Sequence, residues 1–546
     1  MNKTTPRQYN AAADLIDRNI TRGLADKPAF VDPDRTLTYG QLQQDTHRVA
    51  CLLRETLCIR REARVALLMF DTVDFPIAFW GAIRGGIVPV CLNTLLPADQ
   101  YAWLLRDCRA QVLFVSSALV DVVRPALEGQ EFLRHVVVVG AAPDAELPAG
   151  WHHFPDLLAG ADPDYPTADT NPDETAFWLY SSGSTGNPKG VRHVHTSPRY
   201  VGENYGRHIL NIGPEDICFA AAKLFFAYGH GAAMANPIWA GATTILLPDR
   251  PTPDAVLDIL KSHQPTLFFG VPTLYASLLD HPRGCPENSS TRLRLCVSAG
   301  EALPPEIAQQ WRDRMQVDII DGVGSTEMLH AFVSNRPGDI RPGVAGRAVP
   351  GYELRLVDDE GRKIAQGEIG ELLVSGGSCA DGYWNRREKT RNTFLGKWVR
   401  TGDRYYCDEE GYYHYCGRVD DMFKVGGRWV SPCEVEQALM SHPMVFEAAV
   451  VAHEDGQGLV TPHAYVVPAN GTDPADPTLF ERLKAHVKAR VGPWKYPRRI
   501  DFVRDLPKTA TGKIQRYRLR DLARGSRRQG LVRSLEPAAS DSDGLG

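Results

Sequence analysis

Strand-length apolar runs alternate with helical patterns through about the first four hundred residues, and no other feature restricts the fold as tightly. Strand, helix and strand in steady succession build largely parallel sheets flanked by helices, the α/β class. The runs "ARVALLM", "AQVLFVS", "TTILLP" and "PTLFFG" set the rhythm. Stretches rich in proline and glycine at 141–150 ("AAPDAELPAG") and 160–174 ("GADPDYPTADTNPDE") mark long surface loops between them. The texture changes near residue 403. "GDRYYCDEEGYYHYCGR" predicts a hairpin turning tightly at Asp408 to Gly411, and "GRVDDMFKVGGRWV" predicts a second one. Helical "SPCEVEQALMSH" and strand-like "FEAAVVAH" follow, so a small α+β domain beginning near Arg418 is expected. At 546 residues the chain exceeds one ordinary core and suggests about three to four structural units. The segment 526–546 has few large apolar side chains and is expected to be a disordered tail.

With 43% hydrophobic and 23% charged residues, the composition is that of a folded globular protein. The net charge of -5 is spread over the whole length, which argues against nucleic acid as the main partner. Apolar runs such as "VALLMF" at 65–70 and "HVVVVG" at 135–140 fall far below the ~20 residues that a bilayer crossing requires, so no membrane partner is expected. The opening "MNKTTPRQYNAAADLIDRNI" is a polar lead-in to an amphipathic helix and lacks the apolar core of a secretory signal. Eleven cysteines occur without any C-x-x-C pair, which fits a reducing cytoplasm.

Residues 180–191, "YSSGSTGNPKGV", follow the strand "TAFWLY", and Ser197-Pro198 further on reads as a helix start. Gly183, Gly186 and Gly190 permit a tight backbone. Ser181, Ser182, Ser184 and Thr185 supply hydroxyls, and Lys189 supplies a positive charge. Such a loop suits polyphosphate. It is not a Walker loop, because Gly190 rather than Ser or Thr follows Lys189, and the G-x-S-x-G order of a hydrolase elbow is absent.

Six further segments accompany the loop in order: "SAGEAL" (298–303), "DGVGSTE" (321–327), "GYWNRREKT" (382–390), "TGD" (401–403), "GRVDDMFKVGG" (417–427) and "PKTATGKI" (507–514). Together they resemble the adenylate-forming superfamily of acyl-CoA synthetases, adenylation domains and luciferases. The resemblance implies a large N-terminal domain (1–417), a hinge (418–421), a small mobile C-terminal α+β domain (422–525) and the tail. It also implies ATP, Mg²⁺ and coenzyme A. Joining a carboxylate to ATP brings two anions together, so phosphate charge must be neutralised first.

By resemblance Lys513 contacts the α-phosphate and the carboxylate during adenylation, Thr326 lies beside the α-phosphate, and Glu327 holds Mg²⁺. Ser182, Gly183, Ser184, Thr185, Gly186, Lys189 and Ser325 belong to the phosphate site. Gly300, Glu301 and Ala302, with Asp321 and Gly322, form the adenine wall. Asp403 takes both ribose hydroxyls as an acceptor-only side chain, and Arg418 adds a charge-assisted contact. Asp420 sits at the hinge, and Gly426 and Gly427 shape a pantetheine tunnel for the thiol step.

"KLFFAYGHG" (223–231) and "GSTEMLHAFVSN" (324–335) most resemble the benzoate-CoA ligase branch, which includes aminobenzoate and hydroxybenzoate ligases. Phe226, Ala227, Tyr228 and Gly229 map onto one wall of an aryl pocket, and Gly324 and His330 onto another, with small residues at 227 and 324 leaving room for the ring. His330 is placed to donate to the substrate carboxylate, and Lys424 to add charge. His230 departs from the apolar residue expected there; it either recognises a ring hydroxyl or amine or belongs to an outer shell. The leading expectation is an aryl-CoA ligase acting on a small aromatic acid. A carrier-loading adenylation enzyme and a noncatalytic nucleotide binder are the alternatives, and retention of Lys189, Glu327, Asp403, Arg418 and Lys513 weighs against the last. A homodimer and reversible acetylation of Lys513 are carried as further expectations.

Overall fold

The computed structural model describes residues 8–142, 145–183, 186–425, 428–454, 459–492, 494–508 and 514–525. The chain divides by contact into one unit of 1–355, 373–401 and 411–413 and a second of 356–372, 402–410 and 414–546. This division assigns 356–372, 402–410 and 414–417 to the second unit, residues that the sequence-based boundary at 417 groups with the N-terminal domain. The expected tail, 526–546, lies outside the described residues.

Two large sheets build the first unit. One runs, edge to edge, through Arg347–Ala348, Ala331–Ser334, Ile319–Gly324, Leu295–Ala299, Leu267–Gly270, Ile217–Ala220, Thr243–Ile245, Pro28–Val31 and Thr36–Thr38. Its six middle strands, from Ile319–Gly324 to Pro28–Val31, are parallel and its edges antiparallel. The other runs through Gly382–Tyr383, Gly186–Val194, Thr175–Gly183, Val88–Cys91, Arg64–Leu68, Ala110–Ser116, His135–Val139 and Trp151–His153. The apolar runs read from the sequence are these buried strands, since a parallel strand covered on both faces must be apolar on both.

Side chains satisfy the first N–H groups of a few helices. Thr38 accepts from Gln41 N, and the Gln41 side chain returns the bond, opening Tyr39–Cys51. Thr252 caps Pro253–His263. The helix expected at Ser197-Pro198 is present as Ser197–Val201, but Ser197 lies inside it and Thr196 precedes it without a side-chain cap. The chain enters this helix already turned in the helical sense at Thr196, so a serine cap has no place.

In the second unit, Val445–Glu454 pairs antiparallel with Val460–Pro468, which pairs parallel with Arg499–Phe502. Ser431 caps the helix Pro432–Met440, and its Val435 and Leu439 pack with Val450, Val466, Leu483 and Val487. Both expected hairpins form: Trp398–Cys407 with Tyr413–Arg418, and Phe423–Val425 with Arg428–Val430. Gly411 takes φ +85° in the first turn, a conformation only glycine adopts without strain. All eleven cysteines are free thiols, and no helix among the described residues is long and apolar enough to cross a membrane.

Candidate active site

The glycine- and hydroxyl-rich segment joins two antiparallel strands, with Ser181 opposite Lys189 and Gly183 opposite Gly186. Ser182, Gly183 and Gly186 are described only as strand backbone. Ser184, Thr185, Gly426, Gly427 and Lys513 lie outside the described residues.

Lys189 projects from the second of these strands, and its Nζ lies 3.7 Å from Glu327 Oε1 and 3.4 Å from the Tyr383 hydroxyl. Tyr383 donates that hydroxyl to Glu327 Oε1 at 2.7 Å, while Lys189 Nζ stands 4.5 Å from its ring centre. The edge strand Gly382–Tyr383 delivers the tyrosine by pairing with Val191 and Arg192, and Arg192 secures it through a 2.8 Å ion pair with Asp381. An ammonium, a phenol and a carboxylate thus meet in one half-enclosed cluster. Tyr383 stands within "GYWNRREKT", where the sequence alone assigns it no role.

Glu327 belongs to a short turn, Thr326–Met328, whose preceding Ser325 accepts from Met328 N at 3.3 Å. Leu329 closes the turn at φ +65°, a left-handed conformation that a branched residue adopts only when its surroundings enforce it. His330 follows at once. The turn is fed by Ile319–Gly324, parallel to Leu295–Ala299 with Ser298 opposite Asp321 and Ala299 opposite Gly322. Gly300, at φ +98°, turns the chain toward Glu301 and Ala302, and Leu303 N donates to Asp321 Oδ2 at 3.3 Å. The residues expected as the adenine wall therefore stand together at the carboxyl ends of two neighbouring parallel strands, where open α/β sheets bind ligands. Burial pushes the Asp321 carboxyl up to about 7.

The aromatic wall lies in the same unit. Tyr228 points its hydroxyl at the carbonyls of Gly270 and Val297, both at 3.0 Å, so it is pinned to two strand ends and presents its ring. His330 lies parallel to that ring at 6.1 Å and edge-on to Tyr205 at 4.8 Å. Its Nε2 is buried without a hydrogen-bond partner among the described residues, and burial pushes its pKa down to about 3, so the ring is neutral. Phe226 packs on Phe225 at 4.4 Å, and Ala227 opens the short helix Ala227–His230.

Three glycines here are small because something touches them. A Cβ at Gly229 would fall 2.2 Å from the Lys223 carbonyl oxygen, and one at Gly231 would fall 2.3 Å from His330 Nδ1. At Gly324, expected to leave room for an aromatic ring, a Cβ would lie 2.5 Å from the His330 carbonyl oxygen. That oxygen belongs to the residue just before the facing strand Ala331–Ser334. His230 is fully buried, stacked on Phe177 at 5.1 Å and edge-on to Phe79 at 4.7 Å, with Nδ1 3.3 Å from the Leu224 carbonyl. Its Nε2, like that of His330, is buried without a hydrogen-bond partner among the described residues.

In the second unit, Asp403 lies within a strand rather than in a turn, and its Oδ1 accepts from Arg418 Nη1 at 3.1 Å. Asp403 is the main influence holding the Arg418 guanidinium in its charged form. Asp420 is exposed in the turn after Tyr413–Arg418, while its neighbour Asp421 pairs with Arg520. Lys424 is exposed on the strand Phe423–Val425.

The profile of the AMP-binding enzymes matches residues 16–384, and that of the AMP-binding enzyme C-terminal domain matches residues 434–513. A 4-hydroxybenzoate-CoA/benzoate-CoA ligase of Rhodopseudomonas palustris is 53% identical over 98% of this chain and 97% of its own length. A benzoate-CoA ligase of Thauera aromatica is 49% identical over 94% of this chain and 96% of its own. The crystal structure of the anthranilate CoA ligase AuaEII in complex with anthranoyl-AMP superposes with a TM-score of 0.91 at 39% identity, covering 96% of this chain and 99% of that one. The chain belongs to the AMP-binding enzymes, on the benzoate-CoA ligase branch of the adenylate-forming superfamily.

Proposed function

We propose that this protein is an AMP-forming aryl-CoA ligase. It joins benzoate, or an amino- or hydroxybenzoate, to ATP as an aryl-adenylate with release of diphosphate, then passes the aryl group to the thiol of CoA with release of AMP. The carrying observation is that one short segment, the turn Thr326–Met328 and the two residues after it, bears both Glu327, in the cluster with Lys189 and Tyr383, and His330, against the aromatic wall of Tyr228 and Tyr205. A segment that holds polyphosphate charge at one residue and an aryl acid three residues on brings carboxylate and α-phosphorus together, which is most of what this reaction needs.

Lys189 neutralises phosphate charge, and Tyr383 keeps it and Glu327 in register. The neutral His330 offers its otherwise unpartnered Nε2 to the substrate carboxylate. Glu327 offers a hard carboxylate oxygen to Mg²⁺. Mg²⁺ retains several waters and needs few protein oxygens, so one carboxylate suffices. When bound, Mg²⁺ supplies further neutralisation of the phosphates. In the second unit, Asp403 and Arg418 take the ribose and nucleotide. Asp420 as hinge, Lys513 for adenylation, and Lys424, Gly426 and Gly427 for substrate charge and the thiol step complete the proposal by resemblance. A cytoplasmic location is part of the same reading, supported by eleven free thiols.

The test is release of AMP and diphosphate from Mg-ATP across benzoate, aminobenzoates, hydroxybenzoates and short fatty acids, with and without CoA. CoA-dependent AMP release with an aryl acid is expected. Diphosphate release without transfer to CoA would move the assignment to carrier loading, and no acid-dependent release would exclude a ligase.

A further inference from the structure

We propose that His193 is a positioning residue for adenylation, acting through the carbonyl of Thr326 on the carboxylate of Glu327. The proposal rests on the assignment of Glu327 to Mg-ATP made above. Three consecutive carbonyls of the turn are held from outside. His193 Nε2 lies 2.8 Å from Thr326 O, Ala380 N–H donates to Glu327 O at 2.8 Å, and Ser378 Oγ donates to Met328 O at 2.8 Å. Ala380 and Ser378 share one loop, which Tyr352 steadies through a 2.8 Å hydroxyl contact with Ser378. His193 supplies the remaining hold, from the strand Gly186–Val194. The turn needs such support because Leu329 closes it in a conformation unfavourable to a side chain.

The histidine is itself immobilised. It is fully buried, and its ring stacks on Phe177 at 5.1 Å and 20°, with His230 stacked on the same phenyl at 5.1 Å and 20°. Burial pushes its pKa down to about 4, so the ring is neutral at pH 7, and a carbonyl acceptor places the proton on Nε2. Lys189 and His193 lie on one strand and touch adjacent residues of the turn, Lys189 at the Glu327 carboxylate and His193 at the Thr326 carbonyl. That strand therefore sets the distance between the ammonium that meets phosphate and the carboxylate that meets the cation.

The alternation of the strand turns this residue inward. Val191, His193 and His195 are buried while Arg192 and Val194 are not, the period of two that turns alternate side chains inward. A histidine at an inward position beside a phosphate loop is a candidate for such a tie.

The experiment uses the full-length protein and two substitutions. His193→Phe keeps the stacked ring and removes the donor; His193→Gln keeps a side-chain N–H at similar reach. Mg-ATP binding is measured by isothermal titration calorimetry, and adenylation is assayed separately from CoA transfer starting with supplied aryl-adenylate. His193→Phe should raise the Kd for Mg-ATP and the Mg²⁺ concentration for half-maximal adenylation about tenfold, leave the aryl acid KM and CoA transfer within about twofold, and be largely rescued in His193→Gln. Wild-type Mg-ATP affinity in His193→Phe, or an equal loss in both half-reactions, overturns the proposal. If His193→Phe does not fold, His193→Asn, whose shorter amide falls short of Thr326 O, carries the same expectation. Glu327→Gln separates the two layers. If it leaves Mg-ATP binding intact, the Glu327 assignment fails and takes this proposal with it; if it weakens binding while His193→Phe does not, the positioning role alone fails.

Discussion

Tyr383 shows how much of the site hangs on one hydroxyl. It donates to Glu327 at 2.7 Å and receives Lys189 at 3.4 Å, and so bridges an ammonium and a carboxylate 3.7 Å apart. Hydrogen bonds to charged groups are worth about 1.5–3 kcal/mol, so Tyr383→Phe should lower kcat/KM for ATP by about tenfold or more, with the aryl acid KM within about twofold, as initial rates will show. Gly231 makes the complementary case. Its backbone is right-handed helical, φ -66°, so alanine is permitted locally, yet the new Cβ would meet His330 Nδ1 at 2.3 Å. Gly231→Ala should displace the imidazole and raise the aryl acid KM about tenfold while sparing ATP; an unchanged aryl acid KM would remove His330 from the pocket. Lys189, Glu327 and His330 could be named as candidates from sequence because each stands inside a contiguous motif. Tyr383 and Gly231 could not, because their roles arise from contacts with residues 56 and 99 positions away along the chain.

At the scale of elements, the turn between Ile319–Gly324 and Ala331–Ser334 is the piece on which both halves of the site depend. The strands pair Gly322 with Ser334, Val323 with Val333 and Gly324 with Ala331, and at this last pair Gly324 lies directly against the His330 backbone. Gly324→Ala would place a methyl 2.5 Å from a carbonyl oxygen that has no side-chain freedom to yield. Either the pairing opens or the turn shifts, and each moves Glu327 and His330 together. The expected outcome is a loss of about 100-fold in adenylation, with KM raised for both ATP and the aryl acid. A selective change in ring preference would instead return Gly324 to the role of pocket floor. Sequence showed this segment as a motif with small residues but not which neighbour required them, since close approach depends on register across the sheet. The hairpins near 408 and 426 were readable, because local turn chemistry and alternation specify them without distant partners.

For the whole molecule, the alternation of apolar runs was enough to declare an α/β chain, whereas strand order was not. Pro28–Val31 pairs with Thr243–Ile245 across more than two hundred residues, and nothing local announces that crossover. Assembling the sheets also buried groups that would otherwise titrate, which ties stability to pH. His193 and His195 are pushed down to about 4, and His230 and His330 to about 3, all by burial. Their stabilising contribution is complete above the unfolded value near 6.5 and is lost as pH falls toward 3 to 4. Asp71 and Asp321, pushed up by burial to about 6 and about 7, act oppositely: their contribution is complete below about 3.8 and is lost as pH rises through those values. Near pH 5 the unfolded chain carries about four protons on the histidines against about two on the folded aspartates, so stability should fall on acidification by on the order of 3 kcal/mol per pH unit. Urea unfolding followed through tryptophan fluorescence reports this transition, since Trp80, Trp178 and Trp311 are buried in the same unit as all six groups. The midpoint should drop steeply from pH 6.5 to 5 and change little from 7.5 to 8.5. His230→Phe keeps an aromatic ring against Phe177 and removes one titrating group, so it should flatten the acid slope by about 1.4 kcal/mol per pH unit. A slope unaltered by that substitution would mean that His230 is already protonated in the fold, against its burial among Phe79, Phe177 and the Leu224 carbonyl.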